Sequence, residues 1–242
     1  MSAIVIENLT KKYKDVTAVD NLSLTINEGE LFSLLGVNGA GKTTTIKMLS
    51  CLTKPTQGDA FLLNHSINEE SDEIKKVIGV SPQETAVATG LTVYENLDLL
   101  CGIYGYTKEQ KQAKIDELTT LLSLKSVINK KASKLSGGYQ RRLSIALALV
   151  SEPEILFLDE PTLGLDVIAR SELWDIIKSL KSKTTIILTT HYMEEAEELS
   201  DRVGIMKDGK LLECDTVTAI KEKTGTDTLE KAFIKIVKEN TK

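Results

Sequence analysis

The sequence of 242 residues has few of the features that are typical of secreted or membrane-spanning proteins. It contains three cysteines, Cys51, Cys101 and Cys214, which lie far apart and form no C-x-x-C pair. We therefore expect them to act as small buried hydrophobes in a reducing compartment, without a disulfide framework. No apolar run approaches the ~20 residues that a membrane-spanning helix needs, and the first residues lack a signal-peptide pattern. These absences favour a cytoplasmic protein.

The chain also lacks an excess of basic residues. It has 30 Lys and Arg against 35 Asp and Glu, which gives a formal net charge of −5. This balance speaks against broad nucleic-acid binding, and no nucleic-acid partner is expected. Hydrophobic residues make up 41% and charged residues 27% of the chain, which is typical of a folded globular protein of one or two domains.

A glycine-rich stretch, Gly36–Thr43, fits the phosphate-binding pattern G-x-x-x-x-G-K-[ST]. Residues 30–35 before it predict a short buried strand, and residues 44–49 after it can open a helix. In that order the loop N–H groups point at an anion; the alternative is a Gly-rich turn with a surface lysine. Lys42 would reach the β- and γ-phosphates of a nucleotide, and Thr43 would hold Mg²⁺. The predicted nucleotide contacts are Gly36, Asn38, Gly39, Ala40, Gly41, Lys42, Thr43 and Thr44.

Strand and helix patterns surround this stretch in the order of an α/β protein. Ala3–Leu9 and Ala18–Ile26 predict two strands of an antiparallel side sheet. Residues from about 84 to 150 show helical spacing, which predicts a helical insertion between core strands. Residues 155–160, an apolar run that ends in two carboxylates, and residues 184–190 predict buried strands of a parallel sheet. The predicted fold is therefore α/β, with a mostly parallel core sheet, an antiparallel β part and a helical insertion.

The first of these two buried strands ends in two carboxylates, Asp159 and Glu160. Ligands of open α/β sheets bind at the carboxyl ends of the strands, so both side chains would face a nucleotide. Asp159 fits a Mg²⁺ ligand and Glu160 a general base that orients water; the alternative is a strand followed by a polar loop. His191 ends the second strand. A lone histidine is usually structural, but one at this place could touch the γ-phosphate or the water.

A second possible anion site lies at Ser136, Gly137 and Gly138. Ser136 is a good N-cap residue, and glycines at a helix start expose backbone N–H groups. Spacing alone does not favour this anion site over a plain capped helix.

Two helices are predicted in the C-terminal part of the chain. Met193–Leu199 forms an acidic helix whose glutamates are expected to face solvent; they are Glu194, Glu195, Glu197 and Glu198. The later stripe recurs at i, i+3, i+4, i+7 and i+8 and predicts an amphipathic helix that docks on its own domain or on a partner. Its residues are Leu229, Ala232, Phe233, Ile236 and Val237.

These motifs stand in one order along the chain and together resemble the ATP-binding cassette (ABC) ATPases. The resemblance covers essentially the whole chain and is carried by Gly36–Thr43, Gln83, Leu135–Gln140, Leu158–Glu160 and His191. The L-S-G-G-x-Q string beside a P-loop is the most discriminating part, because other P-loop classes lack it. The resemblance implies an ATPase domain at residues 1–223, with a helical subdomain at about 84–150, and a C-terminal amphipathic helix at 224–242.

The resemblance also implies a role for individual residues, with ATP and Mg²⁺ as cofactors. Tyr13 resembles the aromatic residue that stacks on adenine, Gln83 the glutamine that senses Mg²⁺ or water and faces the membrane subunit, and His191 the switch histidine. The residues that resemble the interface between two cassettes are Ser136, Gly137, Gly138 and Asp166. The implied catalytic residues are Glu160, His191, Lys42 and Gln83, and the implied metal ligands are Thr43, Gln83 and Asp159.

Within the family, the chain is similar to single-cassette exporter subunits that pair with a separate six-helix permease. The similarity rests on the string S-G-G-Y-Q-R-R and on the tail Thr228–Phe233. It implies MgATP hydrolysis in a head-to-tail homodimer, which drives export of a drug, lipid, ion or polysaccharide from the cytoplasmic face of the cell membrane. Val37, where many members have proline, and Tyr139, between the glycines and Gln140, depart from the family pattern without removing a phosphate contact.

Two alternatives to the exporter hypothesis follow from the same motifs. One is a soluble ABC ATPase that acts on nucleic acid or ribosomes, but such proteins usually carry long coiled coils or two cassettes. The other is a regulatory module that binds ATP without hydrolysing it, and the presence of Glu160 and His191 speaks against it.

Overall fold

The computed structural model describes residues 1–181 and 183–240, which form two sheets flanked by helices. Within these residues the strands, numbered in chain order, are β1 (Ser2–Tyr13), β2 (Val16–Asn27), β3 (Leu31–Gly36), β4 (Gln57–Leu62), β5 (His65–Ser66), β6 (Ile78–Ser81), β7 (Ile155–Asp159), β8 (Thr185–Thr190), β9 (Arg202–Lys207) and β10 (Lys210–Asp215). The α-helices are α1 (Lys42–Leu49), α2 (Ser71–Val77), α3 (Val93–Ile103), α4 (Lys108–Leu121), α5 (Gly137–Leu149), α6 (Val167–Leu180), α7 (Met193–Leu199), α8 (Val217–Thr224) and α9 (Leu229–Glu239).

The core is a six-stranded sheet in the order β10-β9-β3-β8-β7-β6. The neighbours from β9 to β6 run parallel, and β10 pairs with β9 as an antiparallel hairpin. Every residue of β3, β7 and β8 is buried, as expected for parallel strands covered by helices on both faces. The predicted parallel core sheet is therefore confirmed, and its three central strands end at one edge.

The antiparallel side sheet has four strands in the order β2-β1-β4-β5. β1 pairs with β2 along almost its whole length and with β4 on its other edge. Apolar residues of β1 and β2 join one hydrophobic cluster with Phe32 and Leu34 of the core sheet and Ile46 of α1. This packing fixes the end of β1, which carries Tyr13 as its last residue, beside the N-terminus of α1.

A helical lobe comprising α3, α4, α5 and two short 3-10 turns lies between β6 and β7. Thr92 and Thr107 begin α3 and α4 with capping boxes, in which the threonine hydroxyl and the side chain three residues later satisfy each other's backbone N–H. The lobe shares one hydrophobic core with β7, β8 and α6. Residues 84–92, which precede α3, are not helical although they fall within the predicted helical block.

The C-terminal helix α9 packs on its own domain. Its buried residues Leu229, Ala232, Phe233 and Ile236 join a core with α7, α8 and β9. A partner was the other docking site expected from the sequence, and the sequence pattern did not predict α8. The structure shows that α8, capped by Thr216 and ended by Gly225, supplies much of the surface that α9 covers.

The structure corrects the predicted environment of several side chains. Glu195 is fully buried, so the prediction that all glutamates of α7 face solvent is wrong for this residue. Of the three cysteines only Cys101 is buried, and Cys51 and Cys214 are half-buried. Ser136 occupies the N-cap position of α5, but its side chain makes no capping hydrogen bond. Among the described residues, no helix combines the length and apolar character that crossing a membrane requires.

Candidate active site

The loop between β3 and α1 wraps tightly around the N-terminus of α1. Gly41 is the N-cap residue with φ 106°, and a Cβ there would lie 2.4 Å from the carbonyl oxygen of Ala18. Only glycine satisfies both the positive φ and the close approach. The N–H groups of the first turn of α1 consequently open into a cleft, where the helix N-terminus favours an anion.

A buried ion pair lies at the base of this cleft. The Lys42 ammonium is 3.1 Å from Oε1 of Glu160, and both residues are about 5% exposed. Lys42 Nζ also donates to the carbonyls of Gly36 at 2.7 Å and Val37 at 3.3 Å. A buried ion pair is stable only when further hydrogen bonds offset its desolvation, and here the loop backbone supplies them.

Glu160 also contacts His191 at the end of β8. Nδ1 of His191 lies 2.7 Å from Oε2 of Glu160, so the carboxylate joins a lysine and a histidine. Glu160 adopts φ 50°, which is uncommon for a residue other than glycine and costs conformational energy. Its N–H donates to the hydroxyl and carbonyl oxygens of Thr189, and these bonds hold the unusual backbone in place.

A second cluster of oxygens lies next to this one. The Thr43 hydroxyl is 3.1 Å from Oδ1 of Asp159, and the Thr189 hydroxyl donates to the same carboxylate oxygen. Sequence reasoning missed Thr189, although its place one residue before the end of β8 was visible. Hydroxyl and carboxylate oxygens are the hard ligands that Mg²⁺ prefers, and they fit the implied metal site.

The cleft has a volume of about 480 Å³ and collects most of the predicted residues. It is lined by Tyr13, Ala18, Asn38, Gly39, Ala40, Gly41, Lys42, Thr43, Thr44, Gln83, Glu160, Leu163 and His191. Ala18 and Leu163 were not predicted. Gly36 and Asp159 lie behind the lining and contact it through Lys42 and Thr43. Tyr13 is 46% exposed at the outer end, with the Lys11 ammonium 5.0 Å from its ring centre.

The structure does not bring Ser136, Gly137 and Gly138 to this cleft. Ser136 and Gly137 are exposed at the start of α5, and they do not belong to the lining residues. A Cβ on Gly137 would come no nearer than 3.9 Å to Leu165. Asp166 lies close by and caps α6, since its carboxylate accepts the Ala169 N–H at 2.9 Å.

Behind His191 lies the buried carboxyl of Glu195. It accepts a hydrogen bond of 3.1 Å from Nε1 of Trp174 in α6. Burial raises the pKa of the Glu195 carboxyl and the charge of Glu160 acts in the same direction, although the neighbouring Thr190, Thr162 and Trp174 side chains oppose it. Sequence reasoning missed this residue, and its one weak signal was the single tryptophan of the chain, Trp174.

Comparison with known proteins supports the cassette interpretation. Residues 19–163 match the family model described as "ABC transporter". The chain belongs to the ABC transporter family. It is 38% identical to the daunorubicin/doxorubicin resistance ATP-binding protein DrrA of Streptomyces peucetius, over 94% of this chain and 69% of that protein. It is also 38% identical to the protein named "Probable multidrug ABC transporter ATP-binding protein YbhF" of Escherichia coli, over 98% of this chain but only 42% of that protein.

Solved structures agree with the cassette fold. A structure described as "Dimeric structure of a post-hydrolysis state of the ATP-binding cassette MJ0796 bound to ADP and Pi" superposes with a TM-score of 0.80 at 31% identity, covering 88% of this chain and 98% of that one. A second, described as "Structure of ATP binding subunit of ABC transporter", gives a TM-score of 0.86 at 24% identity over 97% of this chain and 99% of that one; at that identity it supports the fold alone.

Proposed function

We propose that this cassette hydrolyses MgATP in a head-to-tail homodimer and thereby drives export of a solute through a separate permease. The observation that carries the proposal is the buried contact of Glu160 with both Lys42 and His191 at the phosphate end of the cleft. A carboxylate beside a phosphate-binding lysine can accept a proton from an attacking water. The histidine can orient that carboxylate or contact the γ-phosphate.

Nucleotide binding in this cleft would exploit existing polar groups. The first turn of α1 presents N–H groups to the phosphates, and Tyr13 offers an aromatic face to the base at the other end. A γ-phosphate would compete with Glu160 for the Lys42 ammonium, because both anions need the same buried cation. Its arrival would therefore release the carboxylate to act on water while Lys42 stabilises the phosphoryl oxygens.

The oxygen cluster beside Lys42 fits Mg²⁺. Thr43 and Asp159 would hold the ion, and Gln83 in the same cleft would contact it directly or through water. Bound there, Mg²⁺ would supply positive charge to the β- and γ-phosphate oxygens. The protein residues set its position, because the Thr43 hydroxyl and the Asp159 carboxylate already contact each other.

Replacing Glu160 by glutamine tests the proposed chemistry. The amide keeps the size of the side chain but cannot accept the proton, so we expect kcat to fall about 10²–10⁴-fold with MgATP affinity retained. Steady-state phosphate release and equilibrium nucleotide binding measure the two quantities. As a control, Glu84→Gln changes an exposed acid just outside the cleft and should leave both unchanged. Wild-type turnover in Glu160→Gln would remove the general base from the proposal.

An apolar groove supports the permease as partner. It lies between the core and the helical lobe, with a volume of about 540 Å³. Leu52 and Ile103 on its rim are each 70% exposed, and Leu99 is 53% exposed. Exposed apolar clusters of this kind mark protein contacts. The relative YbhF is described as a transporter ATP-binding protein, and a cytoplasmic helix of a permease with an apolar face fits the groove. The cassette would then lie peripherally on the cytoplasmic face of the cell membrane.

Introducing positive charge into the groove tests this partner. Leu99→Arg with Ile103→Arg should abolish co-purification with a permease of six hydrophobic spans co-expressed from the neighbouring reading frame, since arginine cannot be buried against an apolar helix without cost. Basal ATP hydrolysis should persist. Ile234→Arg, on the solvent side of α9 and 43% exposed, is the matched control. Retained association in the double variant would rule out this groove as the docking surface.

A further inference from the structure

A buried arginine joins two motifs that the sequence places 58 residues apart. Arg141 lies in the second turn of α5, directly after the string Leu135–Gln140, here called the signature, and is 5% exposed. Its Nη1 donates to the carbonyl of Pro82 and its Nη2 to the carbonyl of Gln83, each at 2.7 Å. Burial disfavours the guanidinium charge and lowers the pKa of Arg141, so these two contacts offset a real cost.

The segment that receives these bonds has little structure of its own. Gln83 follows the end of β6 and lies in an exposed stretch without helix or strand geometry. Gln83 nevertheless belongs to the residues that line the cleft, together with Thr43. The position of a side chain on an irregular segment depends on how firmly its backbone is held. Here the planar guanidinium of Arg141 on the rigid helix α5 holds that backbone with two hydrogen bonds.

We propose that Arg141 is a positioning residue, which fixes the Gln83 peptide to α5 and thereby aims the Gln83 side chain at the reacting end of the cleft. The inference rests on the proposed ATP hydrolysis. Because α5 begins at Gly137, the same contact makes the position of Gln83 depend on the position of the signature. A shift of the helical lobe relative to the core would move both together.

The neighbouring Arg142 provides an internal comparison. It is also buried and lies on the same helix, but its guanidinium pairs with Glu172 of α6 and stacks 5.5 Å from the Tyr139 ring. It has no contact with the Gln83 segment among the described hydrogen bonds and ion pairs. Loss of either arginine removes one buried charge from α5, but only loss of Arg141 releases Gln83.

A double-mutant cycle between Arg141 and Gln83 tests the proposal. A misplacement of about 1 Å can cost up to ~10²-fold in rate, so we expect Arg141→Gln to lower kcat at least ~10-fold in otherwise wild-type protein. In a Gln83→Ala background the same change should lower kcat less than ~2-fold, because the side chain that it positions is already gone. Nucleotide affinity should be unchanged, since Arg141 does not touch the P-loop.

The controls separate positioning from folding. Arg142→Gln should lower kcat equally in both backgrounds. Arg141→Lys should lower kcat less than Arg141→Gln does, because lysine keeps the positive charge although it lacks the planar two-donor guanidinium. Thermal unfolding of each variant is measured alongside, and if Arg141→Gln is unfolded, the same cycle is run with Arg141→Lys. Additive losses for Arg141 and Gln83, or an unchanged kcat, would overturn the inference. A wild-type protein without MgATP hydrolysis would instead contradict the proposed function.

Discussion

The two helix starts that can bind anions, those of α1 and α5, differ in how complete they are within one chain. The start of α1 is enclosed by residues from the β1–β2 region, the Gln83 segment and the ends of β7 and β8. The start of α5 presents exposed Ser136 and Gly137 at the surface of the helical lobe. Both offer backbone N–H groups, but only the first has a lysine, acids and a histidine around it.

In the proposed homodimer, the α5 start would be an incomplete site that a second molecule completes. A two-fold related copy would bring its own γ-phosphate to Gly137 and receive the same contact in return, an isologous arrangement. The similarity to a dimeric cassette structure at 31% identity supports that geometry. In this proposal the P-loop at the start of α1 determines whether ATP binds, and the signature at the start of α5 determines whether two chains associate around the bound ATP.

The largest expected effects separate these two properties. Lys42→Ala removes the cation shared by Glu160 and the phosphates, so it should weaken ATP binding at least ~10-fold and thereby prevent dimerisation. Gly137→Asp should leave ATP binding intact but prevent dimerisation, because its carboxylate would face a γ-phosphate. Sedimentation in the Glu160→Gln background, with and without MgATP, measures assembly, and equilibrium nucleotide binding measures affinity.

Gly137→Asn is the matched control for charge. It has almost the size of aspartate, and a Cβ at this position meets nothing nearer than 3.9 Å, so any steric effect should be common to both variants. We expect Gly137→Asn to weaken the ATP-dependent dimer less than Gly137→Asp does. A stable MgATP dimer of the Gly137→Asp, Glu160→Gln protein would contradict the composite site.

The contrast between the two helix starts also explains what the sequence could reveal. The P-loop is contiguous, and the acids and histidine that complete it each come at the end of a stretch that predicts a buried strand. Because parallel strands end at one edge of the sheet, these residues could be grouped without coordinates. The strand patterns of the sequence also predicted the parallel core and the antiparallel side sheet.

Features that depend on packing between distant elements could not be predicted in this way. Arg141 follows the signature in a string of polar residues, and nothing local shows that its partners are carbonyls 58 and 59 residues earlier. Glu195 lies in a seven-residue helix with four glutamates, which is too short for periodicity to identify the buried one. The helix α8 did carry a signal, Thr216 before it and Gly225 after it, because these are typical cap residues.

The smallest expected effect concerns the buried carboxyl of Glu195 in α7. It tests whether this carboxyl is neutral in the native state. The raised pKa of Glu195 means that the native state keeps its proton to higher pH than the unfolded state does. The unfolded state therefore binds fewer protons above the ordinary value of 4.5, and the stability contributed by this group falls as pH rises toward the native pKa.

Glu195→Gln removes that titration while keeping an oxygen that can accept from Trp174. We expect the variant to gain stability relative to wild type as pH rises above about 4.5, with a Tm increase of a few degrees at neutral pH. Glu194→Gln, whose side chain is 83% exposed, is the matched control and should show no such trend. If Glu195→Gln were instead destabilised most at neutral pH, the native carboxylate would be ionised there, and its charge, not its neutral form, would stabilise the contact with α6 behind His191.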